Sequence, residues 1–331
     1  MNNTITGLRG LLALIVVLFH IYGSSVTEKW INPLNVSFMD NIGHASVSVF
    51  FVISGYLIIQ TIKRKSGMRH FWNDRFLRIL PVFLCIHFLV FIIGPLINYK
   101  FFDGLTEGEY FLYFFANMLM MPGIFDFPMA QVVAWSLSYE MAFYIVASSL
   151  YFSVKNYKKL YASLSIFLGI SIIWVKPLTL FFLVGVAVYI LEMKFPQVTR
   201  KKVIVYLGLP SFLVFFWLYG EKLNIGILLL LTFFFFVTIV KQTGMLSKLL
   251  GTKTMIHLGQ ISYSLYLWHT FVMFPLKMIM HQFNLPFVFF FVSSIILSII
   301  VAHISYRVIE VGITNLIKQR LTKKKQGLLE A

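Results

Sequence analysis

The segment Gly7–His20, GLRGLLALIVVLFH, decides the fold class of this chain. It is an apolar run with one cation near its start, Arg9, and one imidazole at its end, His20. Similar apolar runs follow along the chain, and 59% of the 331 residues are hydrophobic while only 12% are charged. Soluble domains carry about 25% charged residues. The composition therefore indicates a membrane protein, whose outer surface must match lipid.

The lengths of the apolar runs predict how many helices cross the membrane. A helix needs about 20 apolar residues to span a bilayer, and this predicts an all-α polytopic membrane protein with about ten transmembrane helices. The stretch 110–122 is apolar but short, so we expect an interfacial or re-entrant segment there. Residues 1–312 are predicted to form one membrane domain, and residues 313–331 a basic cytosolic tail. The ten predicted helices cover residues 7–24, 43–62, 77–97, 135–153, 158–175, 177–192, 203–219, 223–240, 256–279 and 286–309.

The distribution of charge predicts the orientation of these helices. The chain has a net charge of +16, but its Lys and Arg residues form short clusters between apolar runs rather than a nucleic-acid-binding surface. If the N-terminus is cytoplasmic, most basic residues fall in inside loops and most acidic residues in outside loops. The sequence thus predicts a multi-pass protein of the cell inner (cytoplasmic) membrane with both termini in the cytoplasm.

Arg9 and His20 are the first candidates for chemistry, because ionisable groups inside a membrane are costly and usually functional. They are 11 residues apart, which puts them on one face of a helix, about 16 Å apart along its axis. A guanidinium binds phosphate and an imidazole acts as a general base. A long, thin, phosphate-headed ligand such as the pantetheine arm of coenzyme A matches this spacing. The simpler alternative is an anchoring arginine and a structural histidine.

Three other charged residues extend the candidate site. Glu140 lies about 8 Å below the outer end of its predicted helix, at a depth similar to His20, so it is a candidate to orient His20 or share its proton. A structural carboxyl group is the alternative. Arg75 and Arg78 are an i, i+3 pair on one helix face and are candidates to bind a nucleotide phosphate. The alternative is that they set the orientation of the protein and contact lipid headgroups, and charge alone favours the two interpretations equally.

Several further residues carry weaker signals. Ser54, Gly55 and Tyr56 fall near the middle of the second helix, where the small residues favour close helix packing, especially at Gly55. His269 is either a second polar group near a substrate that accepts the transferred group or a contact between helices. Arg307 and Glu310 predict a local ion pair. Cys85 predicts core packing. No motif for a nucleotide-binding loop, a serine nucleophile or a metal site is present in the sequence, so we expect no metal.

Together, these segments resemble the acyltransferase-3 family of integral-membrane O-acyltransferases. The resemblance covers residues 5–312 and includes an R-x(10)-H pair in the first helix and an R-x-x-R motif. Six motifs in the same order make it specific. They are GLRGLLALIVVLFH (7–20), FFVISGYL (50–57), RFLRILP (75–81), WSLSYEMAFY (135–144), ISYSLYLWH (261–269) and SYRVIE (305–310).

The resemblance implies transfer of an acyl group from acetyl-CoA or another acyl-CoA in the cytosol to a hydroxyl of a cell-surface glycan or its lipid-linked precursor. It implies that His20 is catalytic, assisted by Glu140, and that Arg9, Arg75 and Arg78 bind the donor. The candidates for substrate binding are Ser54, Tyr56, Tyr263 and His269. Direct transfer and a transient acyl-histidine both remain open.

Other functions remain open at the level of sequence. One is a transporter of a lipid-linked glycan or a small anion, although no internal repeat typical of transporters is visible. Another is an acyltransferase that modifies a small molecule. Some family members carry an additional extracytoplasmic hydrolase-like domain. Because this sequence ends at Ala331, we expect either direct transfer or a separate extracytoplasmic transferase partner. Membrane lipid is an expected partner, and nucleic acid is not.

Overall fold

The computed structural model describes residues 2–34, 37–197, 202–221, 224–317 and 319. These residues form α-helices and short helical turns, with no β-strand in the described ranges. Of the predicted basic tail, Lys318 and residues 320–331 lie outside the described residues. The helices are α1 Asn3–Thr27, α2 Ser37–Lys63, α3 Met68–Ile93, α4 Glu107–Met118, α5 Trp135–Lys155, α6 Lys159–Val175, α7 Leu180–Lys194, α8 Lys202–Leu218, α9 Ile225–Lys241, α10 Gly244–Leu250, α11 Lys253–Gln260, α12 Ser262–Phe283 and α13 Phe287–Ser305.

The all-helical prediction is confirmed, but the count of ten membrane spans is not. In the described part of the chain, five helices are long and apolar enough to cross a membrane, or six if α9 and α10 count as one span. Several other predicted spans are short: α6 and α9 each have 17 residues. In contrast, α5 and α12 are long enough to cross a membrane, but their many Ser and Tyr residues make them less apolar than the five helices counted. The apolar helices indicate a multi-pass membrane protein.

Several predicted helices differ from the structure in their boundaries; for example, the helix predicted for 77–97 begins at Met68. The predicted helix 256–279 is broken at Ile261 into α11 and α12. The helix after 223 continues beyond a 62° bend into α10, which the sequence pattern did not indicate. The predicted short segment 110–122 corresponds to α4, a helix of 12 residues. This length is about half of what a spanning helix needs.

Glycines let the central helices approach at backbone distance. A Cβ added at Gly55 of α2 would lie 2.0 Å from the Phe182 carbonyl oxygen, and one at Gly185 of α7 would lie 2.0 Å from the Val52 carbonyl oxygen. The packing role predicted for Gly55 is therefore confirmed, because any side chain there would push α7 away.

The same kind of contact holds α1 against α10 and α11. A Cβ at Gly7 would lie 1.8 Å from the Leu250 carbonyl oxygen, and one at Gly10 would lie 2.6 Å from the Gly259 nitrogen. A Cβ at Gly259 would in turn lie 1.8 Å from the Thr6 carbonyl oxygen. The half of α1 that carries Arg9 is thus tightly held, and this fixes where the guanidinium enters the bundle.

Candidate active site

A cavity of about 80 Å³ lies between α1, α2, α3, α5 and α12. Three guanidinium groups line it: Arg9 from α1 and the Arg75–Arg78 pair from α3. The i, i+3 spacing of the pair puts both side chains on one face of α3, as the sequence indicated. The predicted candidates that share this cavity are Arg9, Ser54, Arg75, Arg78, Glu140 and Tyr263.

The three arginines have no direct carboxylate partner in the described structure. The ion pairs of the described residues are Lys65–Asp74, Lys241–Glu192, Lys277–Glu28 and His281–Glu28. Arg75 is buried, its Nη2 donates to Thr61 Oγ1 at 3.2 Å, and its Nε has no partner. Its guanidinium lies 5.8 Å from the centre of the Tyr144 ring. Guanidinium groups left with free donors form a site that favours an anion.

Glu140 lies on the wall of the same cavity and is held by two hydroxyl groups. Its Oε1 accepts hydrogen bonds from Ser54 Oγ at 2.7 Å and from the hydroxyl of Tyr144. Ser54 comes from α2, whereas Tyr144 is one turn further along α5. Among the described residues, no hydrogen bond joins Glu140 to His20. The predicted role of Glu140 in orienting His20 remains a prediction, and the carboxylate contributes negative charge beside the arginines.

Two more polar residues belong to this region: Tyr263 lines the cavity, and Glu310 lies near its arginines without lining it. Tyr263 donates to the backbone carbonyl of Ile79 at 2.7 Å, which ties α12 to the arginine-bearing face of α3. Glu310 interacts electrostatically with Arg78 and Arg9 and accepts a hydrogen bond from Ser264 at 3.0 Å.

The predicted ion pair between Arg307 and Glu310 is not formed among the described residues, and Arg307 is exposed. Residues Tyr306–Ile313 form a π-helix. The wider turn of a π-helix, with i→i+5 hydrogen bonds, removes residues i and i+3 from the shared face they have in an α-helix. This change of helix type explains why the sequence spacing misled the prediction.

His20 lies further along α1, outside the cavity lining and beside His269. The centres of the two imidazole rings are 5.0 Å apart, with an angle of 44° between the rings. His269 is fully buried, its Nδ1 lies 3.1 Å from the Leu265 carbonyl oxygen, and its Nε2 has no partner in the described structure. If Nδ1–H donates to that carbonyl, the free lone pair of His269 is on Nε2. Such an imidazole is able to accept a proton from His20.

Tyr266 lies between the arginine cavity and His269, and Phe50 packs beside it on the cavity wall. Both line the cavity, and their ring centres are 6.1 Å apart. Tyr266 is held by hydrogen bonds, at 2.8 Å with Ser136 Oγ and at 3.0 Å to the Val133 carbonyl oxygen. Its ring centre lies 6.2 Å from that of His269. Arg9 and His20 lie on the same helix, as predicted, but His20 is not among the residues that line the cavity.

Tyr56 lies away from this site. Its hydroxyl donates to Glu192 Oε2 at 2.6 Å, and Lys241 Nζ lies 3.1 Å from the other oxygen of Glu192. These contacts join α2, α7 and α9 at the ends that the sequence predicts to be cytoplasmic. Tyr56 therefore stabilises helix packing, and its predicted role in substrate binding remains untested.

Sequence reasoning missed two further histidines, the exposed His44 and the buried His87. The ring of His44 on α2 lies 6.0 Å from that of Phe19, the neighbour of His20, and 5.7 Å from that of Trp135. His87 on α3 is buried among phenylalanines. Both lie within apolar runs, the same signal that selected His20. In the described part of the chain, no three His, Cys, Asp or Glu side chains are arranged to hold a metal ion.

The family of the chain follows from this site and its sequence. A family model described as "Acyltransferase domain" (Acyl_transf_3) matches residues 2–306. The protein therefore belongs to the acyltransferase-3 family, as the motifs indicated. No solved protein structure matches the chain significantly.

Several curated bacterial proteins are similar to this chain. A provisionally named O-acetyltransferase from Staphylococcus aureus (strain COL) is 25% identical over 92% of this chain and 56% of its own length. O-acetyltransferase OatA from S. aureus (strain NCTC 8325 / PS 47) is 24% identical over 93% of this chain and 56% of its own length. Acyltransferase MdmB from Streptomyces mycarofaciens is 27% identical over 43% of this chain and 37% of its own length. The chain thus spans about half the length of the O-acetyltransferases it matches.

Proposed function

We propose that this protein is an acyl-CoA-dependent O-acyltransferase that moves an acetyl or other acyl group to a hydroxyl of a cell-surface glycan or its lipid-linked precursor. The observation that carries the proposal is the cavity in which Arg9, Arg75 and Arg78 converge without a carboxylate partner within salt-bridge distance among the described residues. The names of the O-acetyltransferases from S. aureus support the reaction type. Acetyl-CoA is the first donor to test.

In this proposal the donor binds at the inner half of α1. The phosphates of coenzyme A accept hydrogen bonds from the three guanidinium groups. The pantetheine arm follows α1 towards His20. A cavity of about 80 Å³ holds only a few water molecules. Donor binding must therefore widen it, and Phe50 is the side chain that has to turn aside, because Tyr266 is fixed by two hydrogen bonds.

The chemical step takes place at the histidine pair. His20 accepts the proton of the acceptor hydroxyl while the hydroxyl oxygen attacks the thioester carbonyl. The new carbon–oxygen bond forms, the carbon–sulfur bond breaks, and the proton passes from His20 to the departing thiolate. His269 Nε2 has no partner in the described structure, and during the reaction it would accept the other ring N–H of His20 and so fix the tautomer that leaves a lone pair facing the hydroxyl. In the alternative route, His20 itself carries the acyl group before the hydroxyl attacks.

Labelled acetyl-CoA supplied to inverted membrane vesicles tests the proposal. We expect label on the glycan fraction with the wild-type protein and none with His20→Ala at the same protein level. Mass analysis of surface glycans from a deletion strain complemented with either form extends the test to cells. Equal labelling with both forms would show that His20 is not catalytic. Movement of glycan without labelling would favour a transporter instead.

The proposed topology has ten spans, an inner-membrane location and cytoplasmic termini. It is supported by the concentration of Lys and Arg in alternate loops. Cys85 is the only cysteine, so its replacement gives a background for placing single cysteines in each loop. We expect a membrane-impermeant thiol reagent to label Asn32→Cys, in the exposed loop after α1, from outside intact cells and Ser66→Cys only after lysis. The opposite pattern would reverse the proposed orientation.

A further inference from the structure

A second cavity, here called the lateral groove, lies between the C-terminal halves of α3 and α12. It has a volume of about 320 Å³, four times that of the arginine cavity. The backbone segment 130–132 closes one side. Val132 and Met278 line the groove, and their exposed fractions are 52% and 51%. Since these exposed lip residues are apolar, the groove opens towards the hydrocarbon of the bilayer rather than towards water.

Gln131 is the feature of the groove that its apolar walls do not explain. Its side chain is 7% exposed and lines the groove, yet neither Oε1 nor Nε2 has a hydrogen-bond partner in the described structure. A primary amide offers two donors and two acceptor lone pairs. Leaving such a group buried and unpaired is costly. The groove therefore suits a ligand that brings both a hydrogen-bond donor and an acceptor, as a hydroxyl group does.

Another polar group in the groove is already engaged. The hydroxyl of Tyr99 donates to the Ala130 carbonyl oxygen at 3.1 Å. This bond holds the 130–132 segment in place and presents Gln131 to the groove. An ordered water needs two to four polar partners, which these walls supply poorly. A long hydrocarbon chain with a hydroxyl-bearing headgroup matches both the walls and the amide.

The lateral groove is lined by α12, the helix that carries His269. Thr270, which lines the groove, follows His269 in sequence. On the other side, Val133 follows the 130–132 segment, and its carbonyl accepts the hydrogen bond from Tyr266 that helps to close the arginine cavity. The segment that presents Gln131 is thus linked through Val133 to Tyr266, whose ring centre lies 6.2 Å from that of His269.

We propose that the lateral groove binds the hydrocarbon chain of a lipid-borne acceptor, with Gln131 hydrogen-bonded to a hydroxyl of its headgroup. This inference rests on the proposed acyl transfer and names the class of acceptor: a sugar or polyol carried on an isoprenoid or acyl chain. The acceptor arrives sideways from the bilayer, while the donor arrives at the opposite end of α1. Gln131 is then a specificity residue for the lipid acceptor, and the donor site does not depend on it.

Two variants test the groove in protein reconstituted into phosphatidylcholine vesicles. Gln131→Leu keeps the size of the side chain and removes the amide. Met278→Trp narrows the exposed lip, and Met193→Trp, at an exposed methionine of α7 outside the groove, is its matched control. The acceptors are a prenyl-phosphate-linked glucose and free glucose, each assayed with labelled acetyl-CoA.

We expect Gln131→Leu to raise the KM for the prenyl-linked acceptor about three- to tenfold, as loss of a hydrogen bond does. Met278→Trp should raise it similarly and Met193→Trp should not. The KM for acetyl-CoA and the transfer to free glucose should stay unchanged. Equal effects on both acceptors, or no effect on either, would overturn the groove proposal.

Two further outcomes are distinguishable. If wild-type protein transfers acetyl to neither acceptor and does not turn over acetyl-CoA, the proposed acyl transfer fails rather than the groove. If mass spectrometry of the purified protein shows a phospholipid that is lost in Gln131→Leu, while all KM values stay the same, the groove holds bulk lipid and the acceptor assignment is wrong.

Discussion

At one end of α1, Arg9 shares a cavity with two other arginines; at the other end, His20 lies beside His269. Hydroxyl groups surround the charged end, where Ser54 and Tyr144 both donate to Glu140. The histidine pair is held less by hydrogen bonds: among the described residues, its only side-chain hydrogen bond joins His269 to a backbone carbonyl of its own helix. The difference separates two tasks along one helix. Preorganised charge suits the binding of an anionic donor, whereas an imidazole with an unengaged nitrogen suits proton transfer.

Removal of the imidazole tests the histidine end of this comparison most strongly. We expect His20→Ala to lower kcat at least about a hundredfold, the usual contribution of a general base. The KM for acetyl-CoA should change little, because the phosphates bind at the other end of α1. Steady-state transfer kinetics in vesicles measure both values. A KM effect without a kcat effect would place His20 in donor binding instead.

Removal of one guanidinium tests the charged end. We expect Arg78→Gln to raise the KM for acetyl-CoA about tenfold or more, because a hydrogen bond to a charged group contributes roughly 1.5–3 kcal/mol. Arg69→Gln, an exposed arginine on the same helix, is the matched control and should behave as wild type. If both variants weaken donor binding alike, general surface charge explains the effect and the cavity does not.

The pairing of His269 with His20 gives a smaller effect with a distinctive rescue. We expect His269→Leu to lower kcat about tenfold, equivalent to about 1.4 kcal/mol, with the KM for donor unchanged. His269→Gln keeps an acceptor atom in the side chain and should recover part of the loss. If the role of His269 is purely structural, the kcat of His269→Leu should instead be at least as high as that of His269→Gln, because an apolar side chain suits a buried site without water better.

The two ends depend on a fixed α1, and its glycines test that dependence. Gly10→Ala puts a Cβ 2.6 Å from backbone atoms of α11, whereas Gly23→Ala meets nothing within 4 Å. Overpacking of this kind costs about 1–3 kcal/mol. We expect a lower melting temperature in detergent for Gly10→Ala and an unchanged or higher one for Gly23→Ala. Equal behaviour of the two variants would show that the close contact does not hold α1.

The smallest expected effect lies just beyond α1, at Glu28. Partial burial raises the pKa of this carboxyl, but the hydrogen bond with His281 and the charge of Lys277 lower it more, so the net pKa is below its usual 4.5. A carboxyl group whose pKa is lowered by folding stabilises the folded state at pH values above its pKa in the unfolded chain. This contribution is lost as the pH falls below about 4.5. Since exposed pairs contribute about 0–1 kcal/mol, Glu28→Gln should flatten only the acid side of a stability–pH curve. A change at neutral pH larger than this would contradict the assignment.

Local sequence patterns predicted those features that depend on a single helix. The apolar runs predicted the helical class, and the spacing of Arg75 and Arg78 predicted a shared face, because helix period alone decides these. The spacing of Gly7 and Gly10 alone does not predict a close helix contact, since such a contact depends on the helix that packs against them. The break at Ile261 also comes from tertiary packing, where Gly259 lies against the backbone of Thr6.

Features that depend on several helices at once were out of reach. The hydrogen bonds of Glu140 come from α2 and α5, so its depth alone suggested His20 as a partner. The contact between His20 and His269 joins residues far apart in sequence, and no local periodicity reports it. Gln131 lies between helices, outside any apolar periodic segment, and becomes notable only once its burial is known.

The wedging of Gly7 and Gly10 against α10 and α11 has a consequence for donor selection. A helix locked by backbone contact near its first turns does not slide along its neighbours, so His20 keeps a constant height above the arginines of the cavity through a reaction cycle. In the proposed reaction, α1 then fixes the distance between the phosphate-binding Arg9 and the imidazole of His20 at about 16 Å along its axis. Thioesters on carriers with a truncated arm fall short of the imidazole, and extended ones overshoot it, whatever acyl group they carry.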